Sequence, residues 1–514
     1  MPVPVLGSIL KNMVESRGVK DPMYEDVFGI QVGELRKLLS KAQHTAFGRN
    51  YHFHEILQCN DNDIIKKYQE TVPAFDYNSM FKAWWKESLE GKADVAWPGK
   101  IKYFALSSGT SEASSKYIPV AADMVKQIRR TSIRQLLSLA SYNLPKELYT
   151  KGALMLGGST HLDYNGVYYE GDLSGINTGK IPFWFQRFYY PGKKISREKD
   201  WNKKLDEIVR KAKDWDIGAI VGVPAWLQIL LERIIEYYNL ETIHDIWPHL
   251  SIFVHGGVAF QPYKTAFEKL LAHPLIYMET YLASEGFIAL QTRPNVESMQ
   301  MIADNGLFLE FVPFNERNFD EDGNVKPNPE SIPLHEVEEG VVYGLLLSTC
   351  SGAWRYLIGD TVKFTDKKRC EIQITGRTKH FLSLCGEHLS QENMNMAIEL
   401  LEKQLRMDIR EFSVAGIKHD SMFAHQWFIG TDENIDEATV RDQLDQNLKA
   451  LNDDYKTERI AAIKEVNVTL LPTAAFYDWM EAKGKTGGQH KFPRVLKQAQ
   501  LEEWKTFIHK YQKK

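Results

Sequence analysis

The chain has 514 residues, 43% hydrophobic and 25% charged, with 63 basic and 67 acidic residues and a formal net charge of −4. These figures match ordinary globular usage and leave out the fibrous, collagenous and disordered classes. They also give no general attraction to nucleic acid or to an acidic membrane, so any partner has to be argued from sites.

Four cysteines, Cys59, Cys350, Cys370 and Cys385, are widely spaced without a Cys-x-x-Cys pair, which suits a reducing cytoplasm. The start Met1-Pro2-Val3-Pro4-Val5-Leu6 lacks the charged beginning and apolar run of a secretory signal. No run of about eighteen apolar residues predicts a membrane span.

In chain order, residues 31–47 place Val32, Leu35, Leu38, Leu39 and Ala42 at helical spacing, opening an α-rich N-terminal segment. Lys102-Tyr103-Phe104-Ala105-Leu106 reads as a short buried strand. Behind it, Ser107-Ser108-Gly109-Thr110-Ser111, with Lys116 and Pro119 further on, reads as a loop that wraps a polyphosphate. Glycine lets backbone N–H groups approach phosphate oxygens, the hydroxyls add donors and the lysine adds charge. The same five residues alone suit a surface turn equally well, and no lysine follows the glycine as in the common nucleotide hydrolases.

A helix is predicted from Ala121 to Ala140. The middle of the chain then alternates short apolar runs with helix or loop signals, at residues 153–156, 219–223, 251–254 and 275–278. That alternation predicts an α/β architecture with mostly parallel sheets. Residues 306–311 and 340–347 read as antiparallel strands of a β-rich subdomain. The charged break Thr365-Asp366-Lys367-Lys368-Arg369 suits a linker, followed by a strand at 372–374, a helix over 391–405, strands at 412–416 and 426–430, and a helix over 437–450. The expected organisation is a large N-terminal α/β domain over residues 1–365, with mixed and parallel sheets flanked by helices and a β-rich part at about 300–364. A smaller, mobile α+β domain covers 366–514.

Four later segments bear on the Ser/Gly loop. Tyr281-Leu282-Ala283-Ser284-Glu285 follows a buried strand and ends in a carboxylate suited to magnesium, or simply to a helix start. Trp354-Arg355-Tyr356-Leu357-Ile358-Gly359-Asp360 ends in an aspartate suited to two ribose hydroxyls, or to a turn. Gly376-Arg377-Thr378-Lys379 follows the expected linker. Gly484 to Arg494 carries Lys485, Lys491 and Arg494 in a glycine-bounded stretch, either a solvated basic loop or one that brings a lysine to a reacting centre.

Taken in order, Ser-Ser-Gly-Thr-Ser, Tyr-Leu-Ala-Ser-Glu, Tyr-Leu-Ile-Gly-Asp, Gly-Arg and Gln-His-Lys-Phe-Pro-Arg resemble the Gretchen Hagen family of acyl acid amido synthetases, the auxin-responsive-promoter family. That family lies within the adenylate-forming enzymes that include acyl-CoA synthetases and firefly luciferase. The resemblance also takes in residues 46–51 and 253–258 and so spans nearly the whole chain. It implies two steps, in which a carboxylic acid attacks ATP to give an acyl-adenylate and pyrophosphate, and an amine, as of an amino acid, then displaces AMP.

By the same resemblance Ser107, Ser108, Gly109, Thr110 and Ser111 bind the β and γ phosphates, and Glu285, beside Ser284, holds Mg2+. Gly256, Gly257 and Val258 line the adenine with Tyr281, Asp360 takes the ribose hydroxyls, Arg377 positions the small domain against nucleotide, and Lys491 stabilises charge during adenylation. Small-molecule acid and amino acid are the implied partners, without nucleic acid or membrane; the oligomeric state is left open, with a monomer plausible.

Three departures stand out: Glu112-Ala113-Ser114-Ser115 where relatives usually carry a second glycine, Thr378-Lys379-His380 where an acidic residue is common, and Ser284 in place of Thr. A thioester-forming acyl-CoA ligase and a non-catalytic nucleotide-binding protein are the alternatives. Abundant aromatics (Trp184, Phe185, Phe188, Tyr189, Trp226) are candidate material for an acid pocket, or plain core.

Overall fold

The structure is a computed structural model and describes residues 3–18, 23–110, 113–142, 144–178, 186–257, 260–320, 323–378, 381–382, 384–387, 389–420, 422–483 and 492–511. The chain packs as two units, Met1–Leu106 with Tyr117–Thr378, and Ser107–Lys116 with Lys379–Lys514.

The first strands are β1 (Tyr103–Thr110) and β2 (Ala113–Val120). β1 lies between β2 and the short strand Tyr169–Gly171, with Tyr103 opposite Tyr169 in parallel register. Residues Ser107 to Thr110, expected as a loop, therefore extend β1. Their Ser/Thr/Gly composition favours turns locally, but strand preference is decided mainly by the neighbouring strand, and beyond the Tyr103–Ala105 pairing with Tyr169–Gly171 β1 still has β2 beside it. Ser111 lies outside the described residues.

A twelve-stranded sheet organises the first unit. Its first half consists of β3 (Gly152–Leu156), β4 (Ile217–Gly222), β5 (Ile252–Gly256) and β6 (Ile276–Ala283), paired in parallel in that order. Leu154, Ile220, Phe253 and Met278 are buried along it, as expected where crossover helices cover the sheet. One such helix, Pro224–Tyr238, starts with proline in its first turn and ends at Asn239 in the left-handed conformation, the usual stop and start chemistry.

At the tight connection from β6 to β7 (Gly286–Leu290) the sheet turns antiparallel. It continues through β8 (Met299–Met301), β9 (Leu307–Pro313), β10 (Val342–Thr349), β11 (Tyr356–Asp366) and β12 (Glu371–Arg377). Across the sheet the order is Ile332–Pro333, β9, β10, β11, β12, β8, β7, β6, β5, β4, β3, Tyr189–Tyr190. The charged stretch 365–369, expected as a linker, lies at the tight turn joining β11 to β12, and the division into packing units falls after Thr378.

Polar groups inside this unit are matched closely. Gln31, fully buried on the helix Val27–Ala42, accepts from the Leu309 N–H at 2.8 Å and donates to the carbonyls of Ala303 and Leu307. Arg355 is 4% exposed and Glu310 1%. The Arg355 Nε donates to both Glu310 oxygens at 3.1 and 3.2 Å, and the remaining guanidinium nitrogens donate to the Gln69 and Val72 carbonyls and the Ser331 hydroxyl.

The second unit contains a three-stranded sheet of β13 (Glu411–His419), β14 (Met422–Gly430) and β15 (Ile463–Leu471), antiparallel then parallel. Helices Thr473–Ala482 and Gln498–Tyr511 pack Phe476, Trp479 and Trp504 against Ala415 and Phe428 on one face. His425, whose neighbours on β14 alternate faces, is fully buried and its Nε2 lies 3.1 Å from Glu387.

Removing Glu310 leaves a buried guanidinium without its counter-charge, so Glu310→Ala is expected to destabilise the first unit by about 3–5 kcal/mol, read as a lower urea midpoint; a loss under about 1 kcal/mol would contradict this account. His255 on β5, 5% exposed and packed against Phe253 and Phe260, has its pKa pushed by burial down to about 4. The unfolded chain then takes up a proton first as pH falls. Stability from this group is fully present above about 6.5 and is lost toward pH 4, on the order of 3 kcal/mol in all. His255→Leu should flatten the fall in unfolding free energy between those pH values by up to one proton; an unchanged slope would show that His255 is not its source.

Candidate active site

The parallel half of the sheet ends on small residues. β3 runs into Gly157-Gly158, β4 ends at Gly222, and β5 ends at Gly256-Gly257. At Gly256 a Cβ would collide with the Thr280 carbonyl on the neighbouring β6, so glycine is required where the strands come together. Thr280 fixes the same edge by donating its hydroxyl to the His255 carbonyl at 3.0 Å.

A cavity of about 310 Å³ opens over these carboxyl ends, the edge where open α/β sheets bind ligands. Its apolar wall includes Met155, Val221, Val223, Trp226, Val254 and Leu282. Of the aromatic residues expected to form a pocket, Tyr189 and Trp226 line it. Phe188 instead carries the Arg187 guanidinium over its ring at 4.5 Å, and Trp184 and Phe185 lie outside the described residues.

Side chains alternate along β6, so Thr280 and Leu282 face the cavity while Tyr281 points to the opposite face. There the buried Tyr281 hydroxyl donates to the Asp360 carboxylate on β11. Arg377, opposite Asp360 in the β11–β12 register, brings its Nε to 2.9 Å from the other carboxylate oxygen. Burial, and then the Asp360 charge, push the Tyr281 hydroxyl well above its usual pKa, so it stays a donor. A carboxylate has about four acceptor positions, so after these two contacts Asp360 can still accept further hydrogen bonds.

Glu285 lies at the β6–β7 turn with Ser284 beside it, and is 9% exposed. Its charge reaches Tyr281 and Tyr356, raising the pKa of both beyond what burial does. The structure thus brings Tyr281, Asp360 and Arg377 into one hydrogen-bonded group in the first unit, with Glu285 close by and Gly256 and Gly257 on the cavity. Ser107 to Ser111 belong to the second unit. Val258 and Lys491 lie outside the described residues.

Sequence reasoning passed over the polar side of the cavity, which holds Asp172, Ser174 and Lys204. Lys204 is 2% exposed on the helix Trp201–Lys211 and donates to the carbonyls of Gly158 at 2.9 Å and Gly157 at 3.3 Å. Helical spacing carried a signal for it, because Lys204, Ile208 and Ala212 fall on one stripe, all buried. The second Gly-Gly pair, at 157–158, was another.

Comparison with known proteins follows the same regions. The GH3 family N-terminal domain matches residues 21–205, its central domain 300–377 and its C-terminal domain 392–500. An indole-3-acetic acid-amido synthetase of Arabidopsis thaliana, GH3.4, is 25% identical over 278 residues, 49% of this chain and 45% of that protein. The chain therefore spans about half the length of that relative. An acyl acid amido synthetase solved with 2,4-DB superposes with a TM-score of 0.58 at 16% identity, covering 98% of this chain and 96% of its own. 2-Hydroxyisobutyryl-CoA ligase with 2-HIB-AMP and CoA gives a TM-score of 0.60 at 11% identity, covering 96% and 94%. These structural likenesses establish a shared two-domain α/β fold. Matched in order by that family's N-terminal, central and C-terminal domains, the chain belongs to the GH3 family.

Proposed function

We propose that the protein is an ATP-dependent acyl acid amido synthetase. A carboxylate oxygen of the acid attacks the α-phosphorus of ATP, pyrophosphate leaves, and an acyl-adenylate forms. The amine of an amino acid then attacks the acyl carbon, AMP leaves and the amine proton passes to solvent. Family membership favours this reading over a thioester-forming one. The geometric observation that carries it is Asp360, a nearly buried carboxylate fixed by Tyr281 and Arg377 with acceptor positions to spare, suited to a pair of ribose hydroxyls.

In this reading the acid lies in the cavity at the carboxyl edge of β3 to β6, and Gly256 and Gly257 let the nucleotide base approach β5. Ser107 to Ser111 receive the β and γ phosphates, and Lys491 offsets the charge that builds as two anions approach. Glu285 suits a magnesium ion, which takes one or two carboxylates and completes its shell with phosphate oxygens and water. Among the described residues there is no group of three or more His, Cys, Asp or Glu side chains able to hold a metal. When bound, it supplies neutralisation of the polyphosphate charge. The four unpaired thiols suit a reducing compartment such as the cytoplasm, and among the described residues no helix is long and apolar enough to cross a membrane.

The test supplies ATP, magnesium, a panel of carboxylic acids and amino acids, and reads pyrophosphate release and conjugate mass, with coenzyme A replacing the amine in a parallel arm. Amide products are expected; thioester alone, or nucleotide binding without pyrophosphate release, would replace this reading with another. Asp360→Ala should raise KM for ATP about 10- to 100-fold, the worth of one or two charge-assisted hydrogen bonds. Lys491→Ala should lower the adenylation rate by roughly 10² to 10³ with the unfolding midpoint nearly unchanged; full adenylation in a stable variant would remove Lys491 from this role.

A further inference from the structure

The cavity has a polar end that neither the nucleotide site nor the activated carboxyl requires. Strand order separates the two ends. Gly256 and Thr280 stand on β5 and β6, next to the Tyr281–Asp360 pair. Gly157 and Gly158 stand at β3, two to three strands away, or roughly 10–14 Å at the usual strand spacing.

At the β3 end Lys204 is buried and held by two backbone carbonyls. An ammonium carries three donors, so one remains. Among the described residues, no carboxylate lies within 4.0 Å of its nitrogen to form an ion pair. Asp172 and Glu198 act on it only at longer range, and burial outweighs them, drawing its pKa down to about 8. Asp172 lines the same cavity: one carboxylate oxygen accepts from the Ser174 N–H at 2.6 Å, and the other packs against Gly158, 3.1 Å from where a Cβ would stand. A buried ammonium on a cavity wall with a donor to spare costs stability unless an acceptor meets it. His255, on β5 between the two ends, also lines the cavity and has its Nδ1 buried without a hydrogen-bond partner among the described residues.

We propose that the acid taken by this cavity carries a second oxygen acceptor, a carboxylate, carbonyl or hydroxyl, at the end of an apolar body remote from the carboxyl that is activated, and that Lys204 is the specificity-determining residue that receives it. The proposal rests on the adenylating reading for its orientation, with the activated carboxyl at the β5–β6 end. A cavity of about 310 Å³ suits a small acid, and its wall of Val, Leu, Met and Trp suits the apolar body. An apolar wall separates acids differing by one methylene only about 10- to 200-fold, whereas a group built to meet a substrate oxygen rejects the analogue lacking it far more strongly.

The experiment uses pairs of acids matched in carbon skeleton, one with and one without the distal oxygen, in separate carboxylate and hydroxyl series. Binding to the full chain is measured by calorimetry without ATP, and pyrophosphate release is measured in parallel. In the wild type the oxygen-bearing acid is expected to bind at least tenfold more tightly than its parent. In Lys204→Met that ratio should fall to within about threefold, and Lys204→Gln, which keeps a donor without the charge, should fall between them and serves if the methionine variant does not fold. Three results overturn the proposal: no oxygen-bearing acid binding better than its parent, a ratio unchanged in both variants, or both affinities falling in proportion, which marks Lys204 as a support for the Gly157-Gly158 turn. A binding preference without pyrophosphate release leaves Lys204 in its role and removes the adenylating reading. Pyrophosphate release with no preference does the reverse.

Discussion

The Asp360 carboxylate is the contact on which the arrangement of the first unit turns. In strand order β6 and β11 are separated by β7, β8 and β12, about 19 Å apart in a flat sheet. Yet the Tyr281 hydroxyl on β6 donates to Asp360 on β11, so the sheet has to curl between its parallel and antiparallel halves. Each partner needs the other. A buried Tyr281 hydroxyl without an acceptor, or a buried Asp360 charge without donors, would each cost more than the contact returns. Arg377 closes the group because the β11–β12 register sets it opposite Asp360, so the geometry follows from backbone pairing and not from long, freely rotating side chains.

A second ion pair in the same unit shows why the first reads as a site. Arg355 and Glu310 are 4% and 1% exposed, and each guanidinium nitrogen of Arg355 finds a partner inside the chain. Such a pair, almost wholly buried and with every guanidinium nitrogen engaged inside the chain, serves to lock β9 and β11 to the residues around Gln69 and Val72. The side chains of Asp360 and Arg377 keep 11% and 27% of their surface. Saturation and exposure, more than charge, separate a structural pair from one that can accept hydroxyl groups from outside.

The sequence conveyed the elements far better than their partners. Strands β3 to β6 were readable as short apolar runs, since one face is buried and the other supplies the apolar cavity wall of Met155, Val221, Val254 and Leu282. The helix Gln391–Leu405 was readable over its whole span, and its start is fixed by the capping box of Ser390 and Asn393. What could not be read was pairing at a distance. Ser107 to Thr110 have turn-forming composition, and their extension follows from β2 lying beside β1. Asp360 was picked out by its place at the end of a motif, but neither Tyr281 nor Arg377 could be tied to it without the curl of the sheet. Lys204 was hidden for another reason: in the run Lys203-Lys204 only the helical stripe it shares with Ile208 and Ala212 separates the buried lysine from the exposed one.

The two ends of the cavity therefore answer to different constraints. At the β5–β6 end the walls are backbone: Gly256 admits no Cβ because the Thr280 carbonyl occupies its place, and the nearby carboxylate is fixed by strand register. A change there disturbs the sheet itself. At the β3 end the walls are side chains from a surface helix and a loop, Lys204 and Asp172, resting on Gly157 and Gly158. Neither Lys204 nor Asp172 stands on a strand of the sheet. Under the proposed adenylating reading, the same sheet edge keeps one way of holding a nucleotide and a carboxyl group while the helix Trp201–Lys211 sets which acid fits. Because a buried ammonium discriminates more steeply than an apolar wall of equal area, on that reading one position on the helix outweighs the many hydrophobic contacts around it.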